Sequence, residues 1–130
     1  MMNELAGEIK NRNDFAVVTH INPDGDALGS AVAMDRALRA LGKRSRVVLA
    51  AEIPKKYMFT ELKADYSLVQ DTPGKFGCVI AVDCADIRRL GEARTLFGEA
   101  DYTINIDHHS SNEGFAKLNY IVPEPSSGEI

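Results

Sequence analysis

The chain has 130 residues, 45% of them apolar and 26% charged, a balance that excludes disordered, collagen-like and fibrous readings and fits one globular domain. A domain this size buries roughly 65–70% of the surface its unfolded chain exposes, so it needs neither disulfide nor metal simply to hold a core. Fifteen Lys and Arg against nineteen Asp and Glu give a net charge of -4, which excludes broad duplex binding through a basic face but not an enzyme acting on a small phosphate ester.

Two cysteines, Cys78 and Cys84, are too few for a disulfide scaffold and are not spaced as a zinc clip, so a reducing compartment is expected. No apolar run approaches the ~20 residues that span a bilayer. The opening Met1-Met2-Asn3-Glu4-Leu5 lacks the pattern of a secretion signal. The expected location is the cytoplasm, with no membrane partner.

A lead-in helix is followed by the apolar run Phe15-Ala16-Val17-Val18-Thr19, which reads as a strand. Leu28, Ala31, Met34, Leu38 and Leu41 then recur at three- and four-residue steps. Asp26 as N-cap and Gly42 as stop make this an amphipathic helix. Arg46-Val47-Val48-Leu49-Ala50 reads as the next strand, and a shorter helical stretch is expected around Ile53 to Leu62. Thr72-Pro73-Gly74 is a loop. Cys78-Val79-Ile80-Ala81-Val82 is a strand, followed by a helical stretch around Ile87 to Ala100 that Gly91 and Gly98 weaken. Tyr102-Thr103-Ile104-Asn105-Ile106 and Leu118 to Val122 are the last strands. The order, a lead-in helix and then strands alternating with helical stretches up to a final strand, predicts an α/β fold with a largely parallel sheet flanked by helices on both faces. Pro123 to Gly128 reads as a turn, and Ser-Ser-Gly-Glu at its end resembles a helix start.

Three strands run into metal-binding residues: His20 through Asp26 after the first, Asp83 after the third, and Asp107-His108-His109 after the fourth. In an open α/β sheet, ligands bind beyond the carboxyl ends of the strands, so these distant segments should meet. Asp24, Asp26, Asp83 and Asp107 would then repel one another, and divalent cations relieve that repulsion. Carboxylates with imidazoles and no thiolate favour Mn²⁺, with Mg²⁺, Co²⁺ or Zn²⁺ as alternatives. A pair of such ions activates water near neutral pH and clamps phosphoryl oxygens, which implies hydrolysis of a phosphate ester or anhydride.

Singly, each residue has a plainer reading: a junction Asp is ordinarily an N-cap, and a rim histidine ordinarily only a hydrogen-bonding group. The coincidence at three strand ends carries the argument. An EF-hand begun at Asn22 would need Gly at Ala27 and an acid at Ala33. No dinucleotide fingerprint or P-loop is present. A triad built on Ser30 or Ser110 leaves the other aspartates without a role. Arg36, Arg39, Lys43, Arg44 and Arg46 cluster near a helix C-terminus, where cations are favourable without any ligand. Asp86 and Arg89 are spaced to pair or to position Asp83, Asn112 and Phe115 could contact a nucleotide, and Cys84 reads as a packed residue.

His20 through Ser30 (HINPDGDALGS), Val82 through Gly91 (VDCADIRRLG) and Asn105 through His109 (NIDHH) resemble successive motifs of the DHH phosphoesterase superfamily, nearest its bacterial oligoribonuclease and adenosine 3',5'-bisphosphate phosphatase branch. The resemblance implies that His20 and Asp24 bind one ion, Asp26 and His108 the other, and that Asp83 bridges both. It implies that Asp107 orients the neighbouring histidine and that His109 faces the substrate phosphate. The substrates it implies are short RNA or DNA oligonucleotides or nucleotide phosphates, and it allows a homodimer. It further implies a fourth Asp motif and a C-terminal substrate-binding domain. No Asp follows Asp107, so residues 1–130 are expected to be a truncated N-terminal domain. The alternatives are a non-catalytic metal- or nucleotide-binding fragment and a manganese pyrophosphatase-like hydrolase.

Overall fold

A computed structural model describes residues 2–53, 55–57 and 66–130. Helix α1 (Met2–Asn11) leads into strand β1 (Phe15–Val18), helix α2 (Gly25–Ala40) and strand β2 (Ser45–Leu49). Then come β3 (Tyr66–Leu68), β4 (Cys78–Val82), helix α3 (Ala93–Glu99), β5 (Tyr102–Asp107) and β6 (Leu118–Ile121). The six strands form one sheet in the order β3-β2-β1-β4-β5-β6. Every pairing is parallel.

The apolar runs form strands because both of their faces are covered. Alternate residues of a strand point to opposite faces. Phe15 and Val17 join Leu28, Ala31 and Leu38 of α2 and Leu5 of α1 in one core layer. Ala16 and Val18 join Ala93, Leu96 and Phe97 of α3 in the other. The α/β sandwich with helices on both faces is therefore present, and the sheet is fully parallel.

Local boundaries differ from expectation in instructive ways. The N-cap of α2 is Asp24, not Asp26: its backbone is extended and its Oδ1 accepts the Ala27 amide at 2.9 Å. A cap must lie outside the helix with its side chain folded over the first turn, whereas Asp26 lies within that turn. The helix stops at Gly42, whose φ of +79° suits a residue without Cβ. Leu41, expected on the apolar stripe, is 62% exposed because the stripe ends with the helix. The buried stripe is Leu28, Ala31, Asp35 and Leu38. Asp35 fits there because the Ser45 hydroxyl and Arg39 guanidinium satisfy its carboxylate.

Of the stretch expected around Ile53 to Leu62, Lys55–Tyr57 is a short 3-10 turn, and residues 54 and 58–62 lie outside the described residues. The stretch from Ile87 to Ala100 is broken into a 3-10 turn at Ile87–Leu90 and α3. Gly91 makes the break with φ +59° and ψ −132°, a region that only glycine occupies without strain. A Cβ at Gly91 would lie 2.5 Å from Ile21 Cγ2, so this turn abuts the loop that follows β1.

The contrast between two glycines gives a test by urea denaturation. Gly91→Ala is expected to lower unfolding free energy by about 1–3 kcal/mol. Gly98→Ala, inside α3 with nothing within 4 Å of the added carbon, is expected to raise it by about 0.5–1 kcal/mol.

Candidate metal centre

The strand order places a topological switch between β1 and β4. From β1 the chain moves outward through β2 and β3, then returns to the other side of β1 for β4, β5 and β6. Loops leaving β1 and β4 therefore diverge and open a crevice at the carboxyl edge, where ligands bind in folds of this kind. Thr19 and His20 leave β1 there, Asp83 leaves β4, and His108 and His109 leave β5. The Thr19 hydroxyl donates to Val82 O at 2.8 Å and ties the first two exits together.

The crevice is a cleft of about 550 Å³ lined by His20, Asp24, Asp26, Asp83, His108 and His109, with Ala85, Asp86, Arg89, Ser111 and Glu113 completing its wall. Two groups of donor atoms lie within 4.8 Å of one another: His20, Asp24 and Asp83, and Asp83, Asp107, His108 and His109. Asp83 belongs to both. Asp26 belongs to neither. It sits 3.7 Å from His108 Nε2, but its carboxylate accepts the amides of Ser127 at 3.1 Å and Gly128 at 2.8 Å.

Asp83 is only 2% exposed and has φ +55°, a left-handed conformation that Asp tolerates better than most residues. Its Oδ2 lies 3.6 Å from His20 Nε2 and its Oδ1 3.0 Å from His108 Nε2, while the Ser127 hydroxyl donates to Oδ1 at 2.9 Å. Burial alone would push its carboxyl up, yet His20, the Ser127 hydroxyl and the charge of His108 hold it below the usual carboxylate range. The same carboxylate raises His20 against the opposing effect of burial. His20 Nδ1 lies 2.6 Å from Ile21 O. A carbonyl only accepts, so Nδ1 carries the proton and Nε2 faces the crevice.

The DHH segment is braced from behind. Asp107, fully buried, accepts from His109 Nδ1 at 2.7 Å and from Asn112 Nδ2 at 2.8 Å. Its histidine partner is thus His109. Asn112 Nδ2 also donates to Asn105 Oδ1 at 2.6 Å. Asn105 in turn donates to Ala81 O and Cys84 O. Asn112 therefore faces inward as a brace, not outward toward a nucleotide.

Several outlying residues resolve into structural partners. Asp86 pairs with Arg88, not Arg89, and that guanidinium holds its carboxyl down at about 2. Cys84 is buried with its thiol pushed up to about 11, chiefly by burial, and its Sγ donates to Asp86 O at 3.2 Å. In the basic cluster, Arg39 binds Asp35, Arg44 binds Asp14, Lys43 donates to Lys10 O and Arg46 donates to Ser67. The residues not foreseen are Ser127 and Gly128. Their visible signal was the Ser-x-x-Glu spacing: Ser126 and Glu129 do exchange the reciprocal bonds of a capping box, and that turn presents the next two amides to Asp26.

The donor chemistry fits a divalent cation. Carboxylates and imidazole nitrogens converge from three strand ends, and among the described residues no Lys or Arg pairs with Asp24, Asp26, Asp83 or Asp107. Residues 14–129 match the N-terminal domain of the DHH family, and the chain belongs to that family. It is 32% identical over 111 residues to the bifunctional oligoribonuclease and PAP phosphatase NrnA of Thermus thermophilus. It is 27% identical over 123 residues to the probable bifunctional oligoribonuclease and PAP phosphatase NrnA of Streptococcus mutans. These alignments cover 85% and 95% of this chain but 32% and 38% of the relatives, so the chain spans about a third of the length of the curated relatives it matches. The crystal structure of an exopolyphosphatase-related protein from Bacteroides fragilis is 21% identical and matches with a TM-score of 0.87 over 98% of this chain and 40% of that one. That likeness shows the fold.

Two measurements test this geometry on EDTA-treated protein. Ser127→Ala, which strips a buried donor from Asp83, is expected to cost about 1–3 kcal/mol in chemical denaturation. The His20 contribution is complete below the ordinary histidine value of 6.5 and is lost as pH rises through the raised folded value. That of Asp83 is complete above 3.8 and is lost as pH falls through its lowered one. Stability is thus expected to decline as pH rises above 6.5, and His20→Gln to flatten that slope.

Proposed function

We propose that this chain is the metal-binding part of a phosphoesterase that hydrolyses short oligonucleotides or nucleoside 3',5'-bisphosphates. The observation that carries the reading is Asp83, a buried carboxylate shared by both donor groups at the topological switch point. His20 and Asp24 would hold one Mn²⁺ and Asp26 and His108 a second, with Asp83 between them; Mg²⁺, Co²⁺ or Zn²⁺ would suit the same donors. Asp26 would contribute through the lone pairs that the Ser127 and Gly128 amides leave open. When bound, the cations supply an activated water and positive charge for the phosphoryl oxygens.

The chain's own residues do the rest. Asp107 takes the Nδ1 proton of His109 in a hydrogen bond and so leaves Nε2 to face the cleft. There it would contact the phosphate or, as the doubly protonated imidazolium, hand its Nε2 proton to the leaving oxygen. The first turn of α2 opens at the cleft and adds a field favourable to anions. The names of the Thermus and Streptococcus relatives support the substrate class. The described cysteines are free and buried, and no helix among the described residues is long and apolar enough to cross a membrane, which supports the cytoplasmic reading.

The test is release of mononucleotide or phosphate from a panel holding a short RNA, a 3',5'-bisphosphate and pyrophosphate. Turnover is expected with Mn²⁺ on the first two, and Asp83→Ala is expected to lower it at least a hundredfold. Activity that survives EDTA would overturn the reading, and pyrophosphate as the preferred substrate would replace it with the pyrophosphatase one.

A further inference from the structure

Five carboxylates line the cleft: Asp24, Asp26, Asp83, Asp86 and Glu113. Among the described residues the wall carries one permanent cation, Arg89. An arginine facing so many acids would ordinarily be taken up by one of them. It is not, for a reason visible next to it. Asp86 is occupied by Arg88, whose Nε and Nη2 lie 2.6–3.1 Å from both carboxylate oxygens. Among the described residues the Arg89 guanidinium makes no hydrogen bond or ion pair.

Its backbone, by contrast, is tightly held. The Arg89 amide donates to Asp86 O at 3.0 Å, and its carbonyl accepts the Ile21 amide at 2.7 Å. Leu90 is fully buried, and Gly91 turns against Ile21 in a conformation only glycine adopts freely. The residue is therefore pinned against the loop that carries His20 and Asp24, with its head group exposed at the rim. An anchored backbone, a guanidinium without a hydrogen bond or ion pair among the described residues and a cleft lined by carboxylates make the pattern of an anion-recognition arginine. Guanidinium groups bind phosphate oxygens in a bidentate fork.

We propose that Arg89 binds a terminal phosphate oxygen of the substrate and acts as a specificity residue contributed by this chain itself. The identity of the anion rests on the phosphoesterase reading; the role of Arg89 as the cleft's anion contact rests on its geometry.

The experiment titrates inorganic phosphate into the Mn²⁺-loaded full chain by calorimetry, alongside Mn²⁺ binding and thermal unfolding. Arg89→Ala is expected to weaken phosphate binding about tenfold or more, the effect of losing a charge-assisted contact. Arg89→Lys is expected to recover part of that loss. Mn²⁺ affinity and Tm should be unchanged in both. Arg94→Ala removes the same charge from α3 outside the cleft and is expected to leave phosphate affinity within twofold. Equal phosphate affinity in wild type and Arg89→Ala, no phosphate binding by wild type, or a parallel loss of Mn²⁺ affinity would each overturn the proposal. Phosphate binding that depends on Arg89 without turnover on the substrate panel would sustain it while counting against the hydrolase reading.

Discussion

Carboxylates held close together in a protein interior must be compensated, and that constraint governs this end of the sheet. Asp83 concentrates it. The residue is buried at the exit of a central strand, in a left-handed conformation, and receives imidazoles from two other strand exits and a hydroxyl from the final turn. Charge repulsion falls steeply with distance and rises as the dielectric drops, so an arrangement of this kind persists only where its surroundings over-determine it. The fully parallel sheet provides those surroundings. Because β1 and β4 are neighbours with diverging connections, the fold holds their exits adjacent while leaving space above.

Behind the donors lies a polar layer with no loose ends. Asn105 in the middle of β5 is fully buried, yet it bridges the β4 exit and Asn112. Among the described residues no buried side-chain polar atom lacks a partner. A satisfied network rigidifies what it touches, whereas a half-satisfied one costs more than an apolar core. This network holds Asp107, and through it the ring of His109, against the end of the neighbouring strand. The family's namesake segment is thus positioned by two amides lying outside it.

Much of this could be read from the residues alone. Continuous apolar runs such as Phe15–Val18 announced buried parallel strands, and three strand ends rich in Asp and His announced a shared rim. What stayed hidden depended on side-chain direction or sequence distance. Asp24 and Asp26 differ by two positions, and only the backbone turn decides which caps the helix and which faces inward. The edge strand Tyr66–Leu68 is short and half-buried, with too few residues to show a period. Arg88 and Arg89 are chemically identical neighbours, and the choice of partner for Asp86 is set by the 3-10 turn that Gly91 ends. Ser127 and Gly128 reach Asp26 across 101 and 102 positions, a pairing no local pattern encodes.

That last contact bears on the order of assembly. Closing a loop of about a hundred residues carries an entropic cost that only a largely formed sheet can offset. That cost favours an order in which the final turn docks on Asp26 and Asp83 after β4 and β5 are in register. Until it does, Asp26 lacks the Ser127 and Gly128 amides and Asp83 the Ser127 hydroxyl. A cation that recognises the finished crevice and not the open chain would then stabilise only the completed fold, in proportion to its concentration. Cation binding and completion of the fold would in that sense be one equilibrium.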